Sequence, residues 1–236
     1  MLAIRVSMTR LVLAAISLVS GAVFAEGAGQ VQHLSGTLSV QRADGSVRIL
    51  SQKSEVNPGE MLTTQKDSYA QINFSDGSSM TMRPNTQMKL ESYKFVQDKP
   101  NEDSAFFRLV KGGLRTVTGL VGKRGNQDAY RIGTSTATIG IRGSSGETLD
   151  CTLGCAGVVP GGETADKGVY HNTLTGSYIM QSEDGTVIIG EGQFALHKKG
   201  QAPEILKGDP GFKLNELPFL IGQNFNRSNA DNCVVK

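Results

Sequence analysis

The chain has no tryptophan, three histidines, three cysteines and seven prolines among its 236 residues, and only 6% of it is aromatic. The histidines, His33, His171 and His197, lie far apart and lack partner residues at metal-ligand spacing, so no metal site is expected. Three cysteines are too few for a disulfide framework to stand in for a hydrophobic core. Beyond residue 25 no run is long and apolar enough to span a bilayer, which takes ~20 such residues. No window keeps a 3.6-residue apolar period over three turns, so helix is a minor component. Only 117–124 and 214–220 have room for a helical turn or two. Clustered positive charge is missing too. Lys123-Arg124 and Lys198-Lys199 are isolated pairs beside glycines and read as solvated loop tips, whereas a nucleic-acid binder relies on dense cations to displace counterions.

What the chain does have is glycine, 29 of them, and short alternating apolar segments. The first 25 residues stand apart. Arg5 and Arg10 make a basic start, Leu11 to Ala25 is an uncharged apolar run, and Val23-Phe24-Ala25 puts small residues where a signal peptidase reads. Cleavage between Ala25 and Glu26 is expected; the run is short for a membrane anchor and contains Ser17, Ser20 and Gly21. Its removal leaves 211 residues with 22 basic and 22 acidic side chains. Strands are predicted at 31–34, 38–41, 47–50, 61–64, 70–74, 79–82 and 88–93. After a polar linker, 97–103, further strands are predicted at 106–111, 114–117, 129–132, 137–141 and 148–151. The remainder fall near Tyr170 and at 178–181, 187–189, 194–197 and 205–206. Asp44-Gly45, Asn57-Pro58-Gly59, Asp76-Gly77 and Arg83-Pro84-Asn85 supply the turns, through positive φ or a fixed proline φ.

One pattern is written twice. Residues 36–50 read GTLSVQRADGSVRIL and residues 176–190 read GSYIMQSEDGTVIIG, offset by a constant 140 positions. Each alternates apolar residues on both sides of an Asp-Gly, the signal of a hairpin. The two hairpins are expected to share a backbone, with Tyr178, Met180, Val187 and Ile189 burying one face. Repeated strand units stack to share a core, which argues for a scaffold or recognition surface more than for one catalytic pocket.

Three blocks in the middle carry a resemblance. Ser68-Tyr69-Ala70-Gln71-Ile72-Asn73-Phe74-Ser75-Asp76-Gly77-Ser78, followed by Met82-Arg83-Pro84-Asn85-Thr86 and Leu90, resembles the core signature of the FecR domain. Phe107 to Arg115 resembles that domain's strand-Gly-strand element, and Thr134 to Gly143 its closing motif. In order, the blocks cover about residues 30 to 150. The resemblance implies an all-β, solenoid-like or sandwich-like periplasmic module that receives or relays signals through protein contacts. It brings no catalytic residues and no cofactor. The expected layout is a signal peptide at 1–25, the FecR-like β domain at 26–150, an added β repeat packed on it at 151–206, and a tail at 207–236. The family's founding sensor has a cytoplasmic anti-sigma region and a membrane helix first; here ten residues precede the hydrophobic run, so a stand-alone form without transmembrane signalling is expected. Ser144 stands where the family usually has Thr after Arg-Gly, which keeps the hydroxyl.

Arg142 is the candidate functional residue, either binding a partner's carboxylate or capping strand-end carbonyls with its fork of donors. Tyr69, Tyr93, Tyr130 and Tyr178 read as core or edge cover. Enzyme motifs fail on spacing: Gly143-Ser144-Ser145-Gly146 is one residue short of a nucleophile elbow, and Gly119 to Arg124 is too short for a phosphate loop. Gly190-Glu191-Gly192-Gln193-Phe194-Ala195 opens a strand and not a helix, so it is a turn. No catalytic residue is assigned. Cys151 and Cys155 would sit about 13 Å apart on an extended strand, so a bridge between them requires a tight turn, which Gly154 permits. That pairing with Cys233 free is favoured; a bridge from Cys233 to either is the alternative. Three functions stand: a periplasmic binding or signalling module with an envelope partner such as a membrane sensor or receptor, a secreted assembly scaffold working through sheet edges, and, last, an envelope-polymer hydrolase. Oligomeric state is open.

The leader pattern predicts that protein recovered from a fractionated Gram-negative host begins at Glu26. N-terminal sequencing checks this, and an intact Met1 in the inner-membrane fraction would refute it.

Overall fold

The computed structural model describes residues 27–126, 128–212 and 214. The expected leader with its Ala25-Glu26 bond, and Cys233, lie outside the described residues. Among the described residues, fifteen strands form one hydrogen-bonded network. The first eight are β1 (Gly29–Ser35), β2 (Leu38–Gln41), β3 (Val47–Leu50), β4 (Glu55–Val56), β5 (Met61–Thr64), β6 (Tyr69–Phe74), β7 (Ser79–Met82) and β8 (Gln87–Lys94). Then come β9 (Ser104–Val117), β10 (Tyr130–Gly133), β11 (Thr138–Asp150), β12 (Val169–Ser182), β13 (Gly185–Gly190), β14 (Phe194–His197) and β15 (Glu204–Ile205). Two short 3-10 turns, Pro100–Glu102 and Gly162–Thr164, are the helical elements among the described residues. The fold is all-β.

Three strands are longer than the sequence suggests. β9, β11 and β12 each join two predicted strands, because glycines that read locally as breaks act as bends along which pairing continues. The first half of β9 pairs with β8 and, in parallel, with β10; after Gly112 its second half pairs with β7 and β11. Gly112 makes this possible. Its φ is +93°, and a Cβ there would sit 2.4 Å from Thr86 Oγ1. β9, β10 and β11 thereby pair in a closed ring, a small barrel.

From β9 two leaves diverge. One runs β8, β5, β2, β3, and the other β7, β6, β1, β4. They pack face to face around a shared core that holds Leu38, Leu62, Met88 and Leu90 from the first leaf with Val31, Ile72, Met80 and Met82 from the second. Phe74 of β6 stacks on Tyr93 of β8 with ring centroids 5.5 Å apart, although the strands are not paired. The arrangement is sandwich-like, with a small closed barrel and many strands outside it. A second, smaller core gathers Leu149, Cys151, Cys155, Tyr170, Leu196 and Phe212. β12 continues the sheet along β11 through eleven residue pairs from Thr138↔Gln181 to Asp150↔Val169.

The two sequence repeats form hairpins β2-β3 and β12-β13, but their backbones differ. Both open alike: Gly36 and Gly176 have φ of +83° and +74°. In the first hairpin Gln41 pairs with Val47, leaving a five-residue connection; in the second Ser182 pairs with Gly185, leaving Glu183 and Asp184 alone at the turn. Gly45 has φ +82° whereas Gly185 has +154°. The expectation of one shared turn fails. The register slips by one residue, and a slip of one turns every side chain of a strand to the other face. Val47 and Ile49 are 64% and 68% exposed, while their counterparts Val187 and Ile189 are part-buried and fully buried. The cause is readable: Leu50, buried opposite Leu38, is replaced in the second copy by Gly190, and the slip brings Ile189 opposite Tyr178 in its place.

Ile189→Ala should therefore lower the unfolding free energy by ~2–4 kcal/mol through loss of buried surface and a residual cavity. Ile49→Ala, at its exposed counterpart, should change it by less than ~0.5 kcal/mol. Urea unfolding of both variants tests the slip; equal losses would contradict it.

Candidate functional site

Three turns converge on one groove of about 700 Å3. The β10-β11 turn supplies Thr134 to Ala137, the β12-β13 turn supplies Glu183 and Asp184, and the segment after β14 supplies Lys199. Arg131 of β10, Thr138 of β11, Gln181 of β12 and His197 of β14 complete the walls. Thr138 and Gln181 face each other in register, which aligns the ends of β11 and β12 beneath the turns.

The turn at 134–137 is held from two sides. Within it, Thr134 Oγ1 donates to the Ala137 carbonyl (2.8 Å) and accepts from the Ala137 N–H (3.0 Å). Below it, the buried Asp150 carboxylate accepts from the Ser135 N–H at 2.8 Å and from both the N–H and hydroxyl of Thr152. On its other side, Thr136 Oγ1 lies 2.9 Å from Nδ1 of the buried His197, whose Nε2 is 3.2 Å from Asp184 Oδ2. An ionised carboxylate only accepts, so Nε2 carries a proton; in the neutral imidazole Nδ1 is then the acceptor and the Thr136 hydroxyl donates to it. Asp184 Oδ2 also accepts the Gly200 N–H at 3.0 Å, pinning the second repeat's turn to the segment after β14.

A hydroxyl, an imidazole and a carboxylate in line is the order used for nucleophilic catalysis. Such catalysis also needs donors aimed at a developing oxyanion. The neighbouring N–H of Ser135 is occupied by Asp150. The line ties the β10-β11 turn, the β12-β13 turn and β14 together. Neither the His197-Asp184 pair nor the groove was visible in the sequence, where the two residues are 13 positions apart.

A second polar constellation is buried. Arg83 donates from Nε and Nη2 to Glu147 Oε2, at 2.9 and 2.5 Å, and both side chains are fully inaccessible. Arg83 Nη2 also donates to the Leu214 carbonyl, and Arg115 Nη1 lies 3.7 Å from Glu147 Oε1. Burial pushes the Glu147 carboxyl up, against the pull of Arg83 and Arg115. Asp76 is the third buried hub. It accepts from Ser78 and from the Tyr93 hydroxyl through Oδ1, and from the Val121 N–H through Oδ2.

Residues 60–152 match the family described as FecR protein. They are a FecR domain. Two crystal structures of a candidate anti-sigma factor from Parabacteroides distasonis are similar over 65% of this chain and 62% of theirs, at 13% identity, with TM-scores of 0.45 and 0.46. The chain thus spans less than two thirds of that protein's length. A cell surface anchoring domain is similar over 26% of this chain and 82% of its own, at 24% identity and a TM-score of 0.26. No curated protein matches. Within the FecR domain, Asp76 and Arg83 of the core signature are both buried hubs, and the closing motif begins with the turn that walls the groove.

The residues singled out from sequence fall as follows. Arg142 lies on β11, its backbone paired with Ser177 beside a bulge. Cys151 and Cys155 form a disulfide with Cα atoms 4.9 Å apart, both buried in the second core. Tyr93, Tyr130 and Tyr178 belong to or pack on the main core. Residues 191–193 are a turn between β13 and β14. Among the described residues no cluster of His, Cys, Asp and Glu has the makings of a metal site, and no helix is long and apolar enough to cross a membrane.

His171 is buried with its ring 4.1 Å from that of Tyr178 and its Nδ1 3.0 Å from Thr148 Oγ1. Burial alone holds its pKa down, from 6.5 to about 3. Between those values the unfolded chain binds the proton and the folded chain does not, so this contribution is complete above pH 6.5 and declines as pH falls. Going from pH 8 to pH 5 should cost ~2 kcal/mol through His171. Denaturant unfolding of His171→Gln at both values should show a pH loss smaller by that amount; an unchanged slope would refute it.

Proposed function

We propose that the chain is a non-catalytic signalling module of the cell envelope that works in the periplasm by protein contact. The supporting observation is the placement of the FecR closing motif. Its first residues, Thr134 to Thr138, are not all packed away: they wall an open polar groove whose opposite wall comes from β12 to β14, beyond the matched residues. Recognition loops on a rigid strand scaffold are the usual way a β domain presents a binding surface. FecR domains are regulatory, which fits a surface that binds and does not turn over substrate.

A secreted assembly scaffold is the second reading, favoured by the apolar residues Val47, Ile49 and Ile188 exposed on β3 and β13, each paired on one side only. Exposed strand edges are templates for self-association.

A photo-crosslinking amino acid placed at Ser135, on the groove rim, and at Asp67, an exposed turn residue elsewhere, distinguishes them. The signalling reading expects a discrete cross-linked envelope protein from position 135 and none from 67. Concentration-dependent oligomers in light scattering, with cross-links only between copies of the chain, would replace it with the scaffold reading.

A further inference from the structure

We propose that the groove binds an extended peptide segment bearing an acidic residue, its carboxylate set between Arg131 and Lys199. This deepens the protein-contact reading above and rests on it.

Two cations face the groove without a carboxylate bound to either among the described residues. Asp184 and His197 are committed to each other, and Asp184 also holds the Gly200 N–H. Among the described residues neither Arg131 nor Lys199 has a carboxylate partner, although Lys198, next in sequence, pairs with Asp166 at 2.6 Å. Arg131 instead lies over the Phe106 ring, 5.5 Å from its centroid, which orients the guanidinium while leaving its charge uncompensated. Glu183 is the one unpaired acid facing these two cations. The lining thus holds two cations and two acids, but with Asp184 engaged by His197 and the Gly200 N–H, Arg131 and Lys199 face Glu183 alone.

Its chemistry narrows the ligand further. Ala137 is the one apolar residue of the lining, and no aromatic ring faces the space. A lipid tail would find no apolar surface there, and a nucleobase or sugar ring no stacking platform. What faces the ligand is a set of hydroxyls and amides. Thr136 has a defined role among them. Because Asp184 fixes the His197 tautomer, the Thr136 proton points to Nδ1, and the remaining lone pair is open to a donor from the groove. An acceptor that lines the same groove as two cations is complementary to a backbone N–H next to a carboxylate. A free inorganic anion would use the cations and not the acceptor. The hydrogen bonds from Asp150 and His197 set the 134–137 turn in place beforehand, so little ordering is left to oppose binding.

The test uses the chain from residue 26 onward and fluorescein-labelled Gly/Ser nonapeptides carrying two central Glu residues, with Gln and Lys counterparts, read by anisotropy. The Glu peptide should bind at least ten-fold more tightly than the Gln peptide. Arg131→Glu and Lys199→Glu should each weaken it at least ten-fold, and the double variant should prefer the Lys peptide. Thr136→Val, which removes the acceptor, should weaken the Glu peptide several-fold and leave competition by free acetate unchanged. Equal binding of Glu and Gln peptides, indifference to both charge reversals, or acetate competing as well as unlabelled Glu peptide would overturn the inference. So would binding of a chito-oligosaccharide without peptide binding. If peptides fail while the cross-link at position 135 persists, this inference falls and the envelope-contact reading stands. If peptides bind and no cross-link forms in cells, the inference stands and that reading falls.

Discussion

The pairing of Arg83 with Glu147 is the constraint around which the other elements are arranged. Both side chains are wholly inaccessible. Bringing two charges out of water offsets most of their attraction, so such a pair adds little net stability, yet removing one partner costs about 3–5 kcal/mol. Its effect is on register. Arg83 follows β7, Glu147 lies on β11, and β9 runs between them carrying Arg115; a slip of any of the three by one residue would bury a charge without its partner. The same guanidinium holds the Leu214 carbonyl, so the segment after β15 is tied to the FecR core signature 131 positions earlier. That tie is what seats Phe212 and Leu214 in the second core against Tyr170, with the rings of Tyr170 and Phe212 4.8 Å apart.

Fixed register then lets the long strands bend. A sheet of fifteen strands cannot stay flat while each strand twists, and here it folds over where β9, β11 and β12 carry glycines. At Gly176 the bend is also a close approach: a Cβ would meet the Ser144 side chain at 2.7 Å. Each bend exchanges pairing partners, so half of β9 serves one leaf and half the other. The closed ring of β9, β10 and β11 follows, and its rim is where the groove opens.

The sequence carried much of this and missed the rest for identifiable reasons. β2, β3, β5, β7 and β14 begin and end where apolar alternation meets a turn residue, because both signals are local. The joined strands were not legible. Gly112, Gly143 and Gly176 look the same in sequence whether a chain reverses there or bends with its pairing intact, and only the neighbouring strand decides. The buried ion pair joins residues 64 positions apart, and the line through His197 depends on three strands meeting. Arg83 did leave a trace: a charged residue directly after the apolar run Met80-Thr81-Met82 with no acid nearby. β4, two residues long, was too short to show any period.

The duplicated hairpin shows how a groove can arise from a repeat. In the first copy Asp44 serves its own turn, accepting the Ser46 N–H at 2.9 Å and the Ser46 hydroxyl at 2.6 Å, which hold its carboxyl below the usual range. In the second copy the turn is shorter, and Thr186, the counterpart of Ser46, has been drawn into β13 opposite Gln181. Asp184 has lost the partner its equivalent uses. It sits at the apex of a two-residue turn, where its carboxylate reaches across to His197 and the Gly200 N–H. The replacement of Leu50 by Gly190 that moved Ile189 into the core therefore also released an acid from local capping. That acid orients the imidazole and the imidazole the Thr136 hydroxyl, so the groove's acceptor depends on the shorter turn of the second copy.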